Sequence, residues 1–325
     1  MGNQVMTVTG PVDVADLGFT LMHEHIFLDL MRDAWIFTNL LNDPELAGIE
    51  LDMLRRAGGA TVVDLTSGGL REFDNPIMFD QATLKPLPPP LAVRRAAERS
   101  RLKIIMGAGW YHENYYKPRL WDLSTDQLTE EIIAELSDGM EGTDVKAGII
   151  GEIGAQYNRL SAIEERVLRA AARAQIETGA GLTTHTTRGV GGLEQLDVLE
   201  QEGVDLERVV LAHSGGQPYP RYHAEIARRG ACVSFDRMGD LPDMTDFHRD
   251  RVLRSIKRLI DNGHTDRIVL SHDVCYAEDL ATNGGCGYAW LPLKGRALLE
   301  REIGLTDAQW NTIVVETPKR ILAGT

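Results

Sequence analysis

His23-Glu24-His25 closes the first long apolar run of the chain. In an extended segment residues i and i+2 face the same side, so these two imidazoles point together. Four further residues stand in the same kind of position. Glu152 ends Ala147-Gly-Ile-Ile-Gly-Glu152, and His185 ends Gly181-Leu-Thr-Thr-His185. His213 ends Val209-Val-Leu-Ala-His213, and Asp273 ends Ile268-Val-Leu-Ser-His-Asp273. Any one of these histidines alone reads equally well as a hydrogen-bonded core residue. Six metal-ligand types at the ends of apolar runs do not. Four imidazoles and two carboxylates suit Zn²⁺, with Mn²⁺, Fe²⁺ or Co²⁺ as alternatives. Six ligands exceed what one tetrahedral ion takes, so two divalent ions sharing a bridging ligand are expected. The chemistry of such a pair is hydrolysis. A water shared by two cations deprotonates near neutral pH, and the resulting hydroxide attacks a carbonyl or phosphoryl centre. Asp273 is the candidate acceptor of its proton.

The elements that must position these residues are eight short β-rich runs separated by helical patterns. The runs are Phe19–His25, Thr61–Thr66, Lys103–Trp110, Ala147–Ile153, Gly181–Thr186, Arg208–Ser214, Cys232–Phe235 and Arg267–Asp273. Their spacing is that of successive βα units. Capping boxes mark three helix starts: Ser124 with Gln127, Ser161 with Glu164, and Thr306 with Gln309. Eight alternating units predict an α/β fold, a (β/α)₈ TIM barrel, in one domain over residues 1–325. In such a barrel the strand ends converge on one face, which brings the six residues together. Val5–Thr9 and Val12–Val14, joined by Gly10-Pro11, predict a small N-terminal β-hairpin that caps one end of the barrel. Leu87-Pro-Pro-Pro-Leu91 reads as a rigid loop in the second crossover. His112, His223 and His264 read as loop or surface residues. His272, beside Asp273, should face away from it by strand alternation.

Composition narrows the function classes. The 325 residues carry 34 Lys+Arg against 48 Asp+Glu, a formal net charge of −14. An acidic chain repels phosphate backbones and anionic lipid, which argues against nucleic-acid and membrane partners and for a small-molecule substrate. The three cysteines, Cys232, Cys275 and Cys286, are too few and too odd in number for a disulfide framework. No segment approaches the apolar length of a membrane span, and Met1 to Thr9 lacks the pattern of a secretory leader. A soluble, cytoplasmic protein is expected.

Val8-Thr-Gly-Pro-Val12 followed by Gly18-Phe-Thr-Leu-Met-His-Glu-His25 resembles the phosphotriesterase family of the amidohydrolase superfamily. The resemblance extends along the chain to Thr317-Pro-Lys-Arg-Ile321. It implies a (β/α)₈ barrel with a binuclear metal centre, and often a homodimer. It assigns His23, His25 and Asp273 to the buried ion and His185 and His213 to the exposed one. Many members bridge the ions with a carbamylated lysine at the end of the fourth strand. Here that position is Glu152, and Lys146 lies six residues earlier, roughly 20 Å of extended chain away. The Gly151-Glu-Ile-Gly154 context and Asn283-Gly-Gly-Cys-Gly-Tyr288 resemble a glutamate-bridged branch of the family. A glutamate keeps the single negative charge of the bridge, but its shorter side chain alters the pocket.

By analogy with related lactonases, two more residues become candidate catalytic groups. Tyr111 ends the third strand and would lie over the exposed ion. Arg237 ends the seventh and would orient a carbonyl or an anionic tail, or else pair with Asp236 or Asp240. Cys275 and Cys286 fall near the substrate side, outside an already complete ligand set. The expected activity is attack on the carbonyl of a lactone or carboxylic ester. The alternatives are hydrolysis of an N-acyl amide, such as an amino-sulfonate conjugate, or of a phosphoester.

Overall fold

The structure, a computed structural model, describes residues 3–34, 36–73 and 75–324. An antiparallel hairpin opens the chain, β1 (Gln4–Thr7) with β2 (Gly10–Asp13). Eight parallel strands then form one sheet: β3 (Thr20–Glu24), β6 (Thr61–Asp64), β7 (Lys103–Ala108), β8 (Ile149–Ala155), β9 (Leu182–Thr186), β10 (Val209–Leu211), β11 (Cys232–Phe235) and β12 (Ile268–Leu270). Each of the eight predicted strands is present: six are trimmed by one to four residues, Cys232–Phe235 is unchanged, and the fourth is shifted two residues onward. A two-stranded ribbon, β4 (Leu28–Asp29) with β5 (Leu40–Leu41), follows β3; at two residues per strand it leaves no alternation to read.

Seven helices fill the crossovers, α1 (Pro44–Arg56), α2 (Pro89–Ser100), α3 (Thr125–Ser137), α4 (Ala162–Thr178), α5 (Gly192–Glu202), α6 (Pro220–Arg228) and α7 (Asp246–Asp261), and α8 (Arg296–Ile303) follows the last strand. This is the predicted (β/α)₈ barrel. All three expected capping boxes form, at Ser124, Ser161 and Thr306. Two local expectations are corrected. The hairpin turns at Val8-Thr9, because Thr7 pairs with Gly10 and Gly10-Pro11 lie inside β2. The proline run is only partly loop. Pro89 and Pro90 open α2, where a missing N–H costs nothing because the first helical turn has no acceptor for it.

The strands divide their side chains between two cores. Met22, Val63, Leu65, Ile105, Ile149, Val210, Cys232 and Val269 fill the barrel interior. Leu21, Val62, Ile104, Ile150, Leu182, Val209 and Val233 face the helical layer. The interior cluster is sealed by Val5 and Val14 from the hairpin region and by Ile321 and Leu322 at the end of the chain. The hairpin docks where the strands begin: Val8 N–H donates to the Ile104 carbonyl at 2.9 Å. The opposite end, where the strands finish, is left for the site.

Two β-bulges decide which residues reach that end. On β3, Leu21 pairs with Val62 and Glu24 with Asp64, so three residues oppose two. Leu21 faces the helices and Met22 the interior. Strict alternation would then turn His23 outward; the extra residue sends His23 inward and Glu24 outward. On β8, Ile150 pairs with Leu182 and Ile153 with Thr184, again one residue too many. Ile149 faces inward and Ile150 and Ile153 outward, so this bulge is what aims Glu152 into the barrel. Gly151 makes it possible. Its φ of +117° is unsuited to other residues, and a Cβ there would lie 2.1 Å from the Thr183 carbonyl oxygen.

Candidate metal centre

His23, His25, Glu152, His185, His213 and Asp273 meet at the strand-end mouth of the barrel. The Nε2 atoms of His23 and His25 lie 3.5 and 3.3 Å from Asp273 Oδ1. His25 Nε2 is 3.6 Å from Glu152 Oε1, and His23 Nε2 is 3.5 Å from Glu152 Oε2. On the other side His185 Nδ1 is 3.0 Å and His213 Nε2 is 3.7 Å from the same Oε2. Among the described residues, the two groups in which potential ligand atoms all lie close together are His23, His25, Asp273 and His23, Glu152, His213.

These separations fit divalent metal ions. Bonds of about 2.1 Å to nitrogen or oxygen in tetrahedral array put ligand atoms about 3.4 Å apart. Both ring nitrogens of His23 are buried and lack a hydrogen-bond partner, which a core histidine rarely tolerates. The donor set, imidazoles and carboxylates with no thiolate among them, suits zinc and its first-row neighbours.

The protein fixes which nitrogen three of the four imidazoles present. His213 Nδ1 is 3.0 Å from Asp236 Oδ1, and the His213 backbone N–H donates to Asp236 Oδ2 at 2.7 Å. His25 Nδ1 is 3.0 Å from Thr66 Oγ. His185 is turned the other way: its Nε2 is 3.3 Å from the Tyr111 hydroxyl, leaving Nδ1 for Glu152. Such partners orient metal-binding histidines. Two backbones are also held in the left-handed region, His213 at φ +57° and Asp273 at φ +52°. For histidine this conformation costs free energy that the surrounding packing must offset.

Charge follows from the burial. Desolvation alone would neutralise Glu152, but His185, His23 and His213 outweigh it and hold the carboxyl well below its ordinary range. Asp273 and Asp236 are likewise lowered against desolvation, Asp273 by His25 and His23, Asp236 by His213. Burial would lower His213, yet Asp236 and Glu152 carry it well above its usual value. His25 rises in the same way through Asp273 and Glu152, while desolvation dominates His23 and lowers it. Three ionised carboxylates in a buried pocket make a strong cation site.

Other expected residues fall in mixed positions. Tyr111 is buried, its ring edge-on to His185, and burial keeps the phenol protonated. Arg237 pairs with Asp240 rather than Asp236: Nε and Nη2 donate to its two oxygens at 2.9 Å each, and Nη1 donates to the Asp273 carbonyl at 2.9 Å. Cys275 Sγ is 3.5 Å from Arg237 Nη1, and Cys286 lies against Gly239; neither joins the ligand cluster. His272 does face away, toward Glu24.

Two histidines correct the expectation of surface placement. His112 is buried against Tyr111 and Tyr115, and desolvation pushes its pKa down to about 3, so it serves as a neutral aromatic wall. His223 is buried with Nε2 2.8 Å from the Ser214 carbonyl. From the sequence, Asp236 stands only as a partner for Arg237. Its position directly after the apolar run Cys232–Phe235 is the signal that singled out the other ligand types, and would have found it.

A cavity of about 680 Å³ opens beside His185, His213 and Asp273. Phe235, Met238, Met244 and Val252 give its lining apolar surface, and Arg237 and Tyr276 also line it. Among the described residues no helix is long and apolar enough to cross a membrane.

The model of the phosphotriesterase family matches residues 3–322. The chain belongs to the phosphotriesterase family. Among its family relatives, the phosphotriesterase homology protein of Mycobacterium tuberculosis is 32% identical, with 98% of this chain and 97% of that protein covered. The N-acetyltaurine hydrolase of Rattus norvegicus is 29% identical over 99% of this chain and 98% of its own. The crystal structure of a lactonase from Listeria monocytogenes superposes with a TM-score of 0.86 at 26% identity, covering 99% of both chains. Membership of the phosphotriesterase family supports a hydrolase.

Proposed function

We propose that the protein is a binuclear metal-dependent hydrolase of uncharged carboxylic-acid derivatives, lactones or esters. The observation that carries this reading is the divided carboxylate of Glu152. Oε1 faces His25, while Oε2 faces His185 and His213 as well as His23. One anion shared between two sets of nitrogens would suit a pair of divalent cations, zinc first among them. His23, His25 and Asp273 would hold one ion and His185 and His213 the other. When bound, such a pair supplies a nucleophilic water at neutral pH and polarises the substrate carbonyl.

The chain's own groups do the rest. Asp273, kept ionised and reaching the edge of the cavity, accepts the proton released in the attack. Arg237 holds the Asp273 carbonyl and so fixes the loop that presents this carboxylate. Tyr111 acts through His185, whose ring it orients. The apolar lining of Phe235, Met238, Met244 and Val252 receives the carbon skeleton of the substrate and excludes water from it. Arg237 is already paired with Asp240, so it offers no free cation to an anionic tail, and this favours an uncharged lactone or ester. An N-acyl amide is the second reading, favoured by the similarity to N-acetyltaurine hydrolases.

The test is turnover by zinc- or manganese-loaded protein of N-acyl-homoserine and simple lactones, aryl esters, N-acetyltaurine and paraoxon. The expected kcat/KM for a lactone or ester exceeds those for N-acetyltaurine and paraoxon by at least about tenfold, the equivalent of 1.4 kcal/mol. Dialysis against chelator abolishes it and added metal restores it. Dominant turnover of N-acetyltaurine or paraoxon would replace the substrate class, and rates indifferent to chelator would remove the metal from the mechanism. Asp236→Asn, which removes the charge behind His213, is expected to lower kcat/KM by about 10–100-fold, with the fold checked by circular dichroism. A loss under twofold would mean that Asp236 does not support the reacting site.

A further inference from the structure

We propose that Asp64 and Thr66 form a buried relay that fixes the tautomer of His25 and thereby sets the affinity of one of the two ions; the inference rests on the metal-centre reading above. His25 Nε2 faces Asp273 and Glu152, so Nδ1 must carry the ring proton. Among the described residues its hydrogen-bond partner is Thr66 Oγ at 3.0 Å, which therefore accepts. The Thr66 hydroxyl then has to donate elsewhere, and Asp64 Oδ1 receives it. The Thr66 backbone N–H reaches the same oxygen at 3.0 Å, which holds the carboxylate still. Proton directions along the chain are thus determined: His25 to Thr66 to Asp64.

Asp64 and Thr66 are wholly buried, and Asp64 Oδ2 has no hydrogen-bond partner. Burying a carboxylate with one oxygen unsatisfied costs free energy, so the residue is not there for stability alone. The relay is also anchored. Arg71 Nη1 donates to the Thr66 carbonyl and to the Gly107 carbonyl, both at 3.0 Å. Gly107 in turn packs against the Gly151 carbonyl, next to Glu152. His213 has a carboxylate placed directly on its Nδ1, whereas His25 reaches its carboxylate through a hydroxyl. The two imidazoles are therefore oriented by separate residues, and one can be disturbed without the other.

Thr66→Val keeps the shape of the side chain and removes the hydroxyl; Thr66→Ser keeps the hydroxyl. Zinc is titrated into metal-free protein against a chromophoric chelator, with metal per chain measured by mass spectrometry. The wild type should bind two ions. Thr66→Val should bind one of them about 10–100-fold more weakly and leave the other unchanged. Thr66→Ser should restore both affinities, which a packing effect of the lost methyl group would not. Asp64→Asn, tested in parallel, should weaken the same ion, and it decides the matter if Thr66→Val fails to fold. Two unaltered affinities in whichever of Thr66→Val and Asp64→Asn folds overturn the relay. A wild type that binds no zinc overturns the metal-centre reading itself, a result distinct from the first.

Discussion

Replacing Glu152 with alanine is expected to reduce bound metal from two ions per chain to one or none and to lower kcat/KM by at least about a thousandfold. The magnitude follows from what the carboxylate does. Its Oε1 lies 3.6 Å from His25 and its Oε2 3.0 Å from His185, so it reaches residues assigned to both ions. Without it, the residues that would hold each ion lose an anionic donor common to both sets. Lewis-acid and nucleophile generation contribute several kcal/mol to such reactions; about 4 kcal/mol corresponds to the stated factor. Glu152→Gln separates charge from shape, since it keeps the length and loses the negative charge. It should fall nearly as far as alanine if the bridge is electrostatic. Mass spectrometry on protein purified without chelator, together with steady-state kinetics, makes the measurement. Two retained ions in Glu152→Ala would exclude the glutamate as the bridge and require another residue to hold the pair.

The sequence made Glu152 a candidate without showing how it reaches the centre. The ends of apolar runs were legible because a strand must stop being apolar where it meets solvent or a site. The helix starts were legible because capping boxes are local. Side-chain direction was not legible, because the bulges on β3 and β8 are made by pairing with the neighbouring strand. On β8 the sequence holds a trace of it, since Gly151 stands where only glycine fits beside the Thr183 carbonyl. On β3 nothing marks the bulge, and alternation counted from Leu21 turns His23 outward. The rule that i and i+2 share a face kept His23 and His25 together, and the bulge turned both inward. Burial of His112 and His223 was hidden for a similar reason: each lies outside the strands, and only the tertiary fold covers it. The Asp64–Thr66 support of His25 was equally hidden, because neither residue type in that strand context distinguishes a relay from ordinary core hydrogen bonding.

Glu24→Gln is expected to lower the melting temperature by roughly 10 °C, from a loss of about 3–5 kcal/mol. The reason lies in how the barrel closes. Hydrogen-bonded ladders join the strands from β3 through β6 round to β12, but between β12 and β3 no ladder runs. At that seam the Asp273 backbone N–H donates to the His23 carbonyl at 3.2 Å. Side chains supply the rest. The His23 N–H donates to Ser271 Oγ at 2.9 Å, and the Ser271 hydroxyl donates to Glu24 Oε1 at 2.9 Å. His272 adds its backbone N–H and its Nδ1–H to the same oxygen, both at 2.8 Å, while Val274 N–H reaches Oε2 at 3.0 Å. The outward turn that the β3 bulge gives Glu24 is what places it here. All four of these donors face a carboxylate that is fully buried. An amide of the same shape must turn its NH₂ toward at least one of them, which loses a charge-assisted bond and sets donor against donor. Ser271→Ala removes one link only and should cost about 1–2 kcal/mol. The seam carries His23 on one side and Asp273 on the other, so loosening it should also weaken retention of the ion those two residues hold. Glu24→Gln should therefore lose zinc more readily than Ser271→Ala, in the same order as their melting temperatures. A Glu24→Gln protein that melts within about 1 °C of the wild type would show that the ladder-free seam is held by backbone packing rather than by this carboxylate.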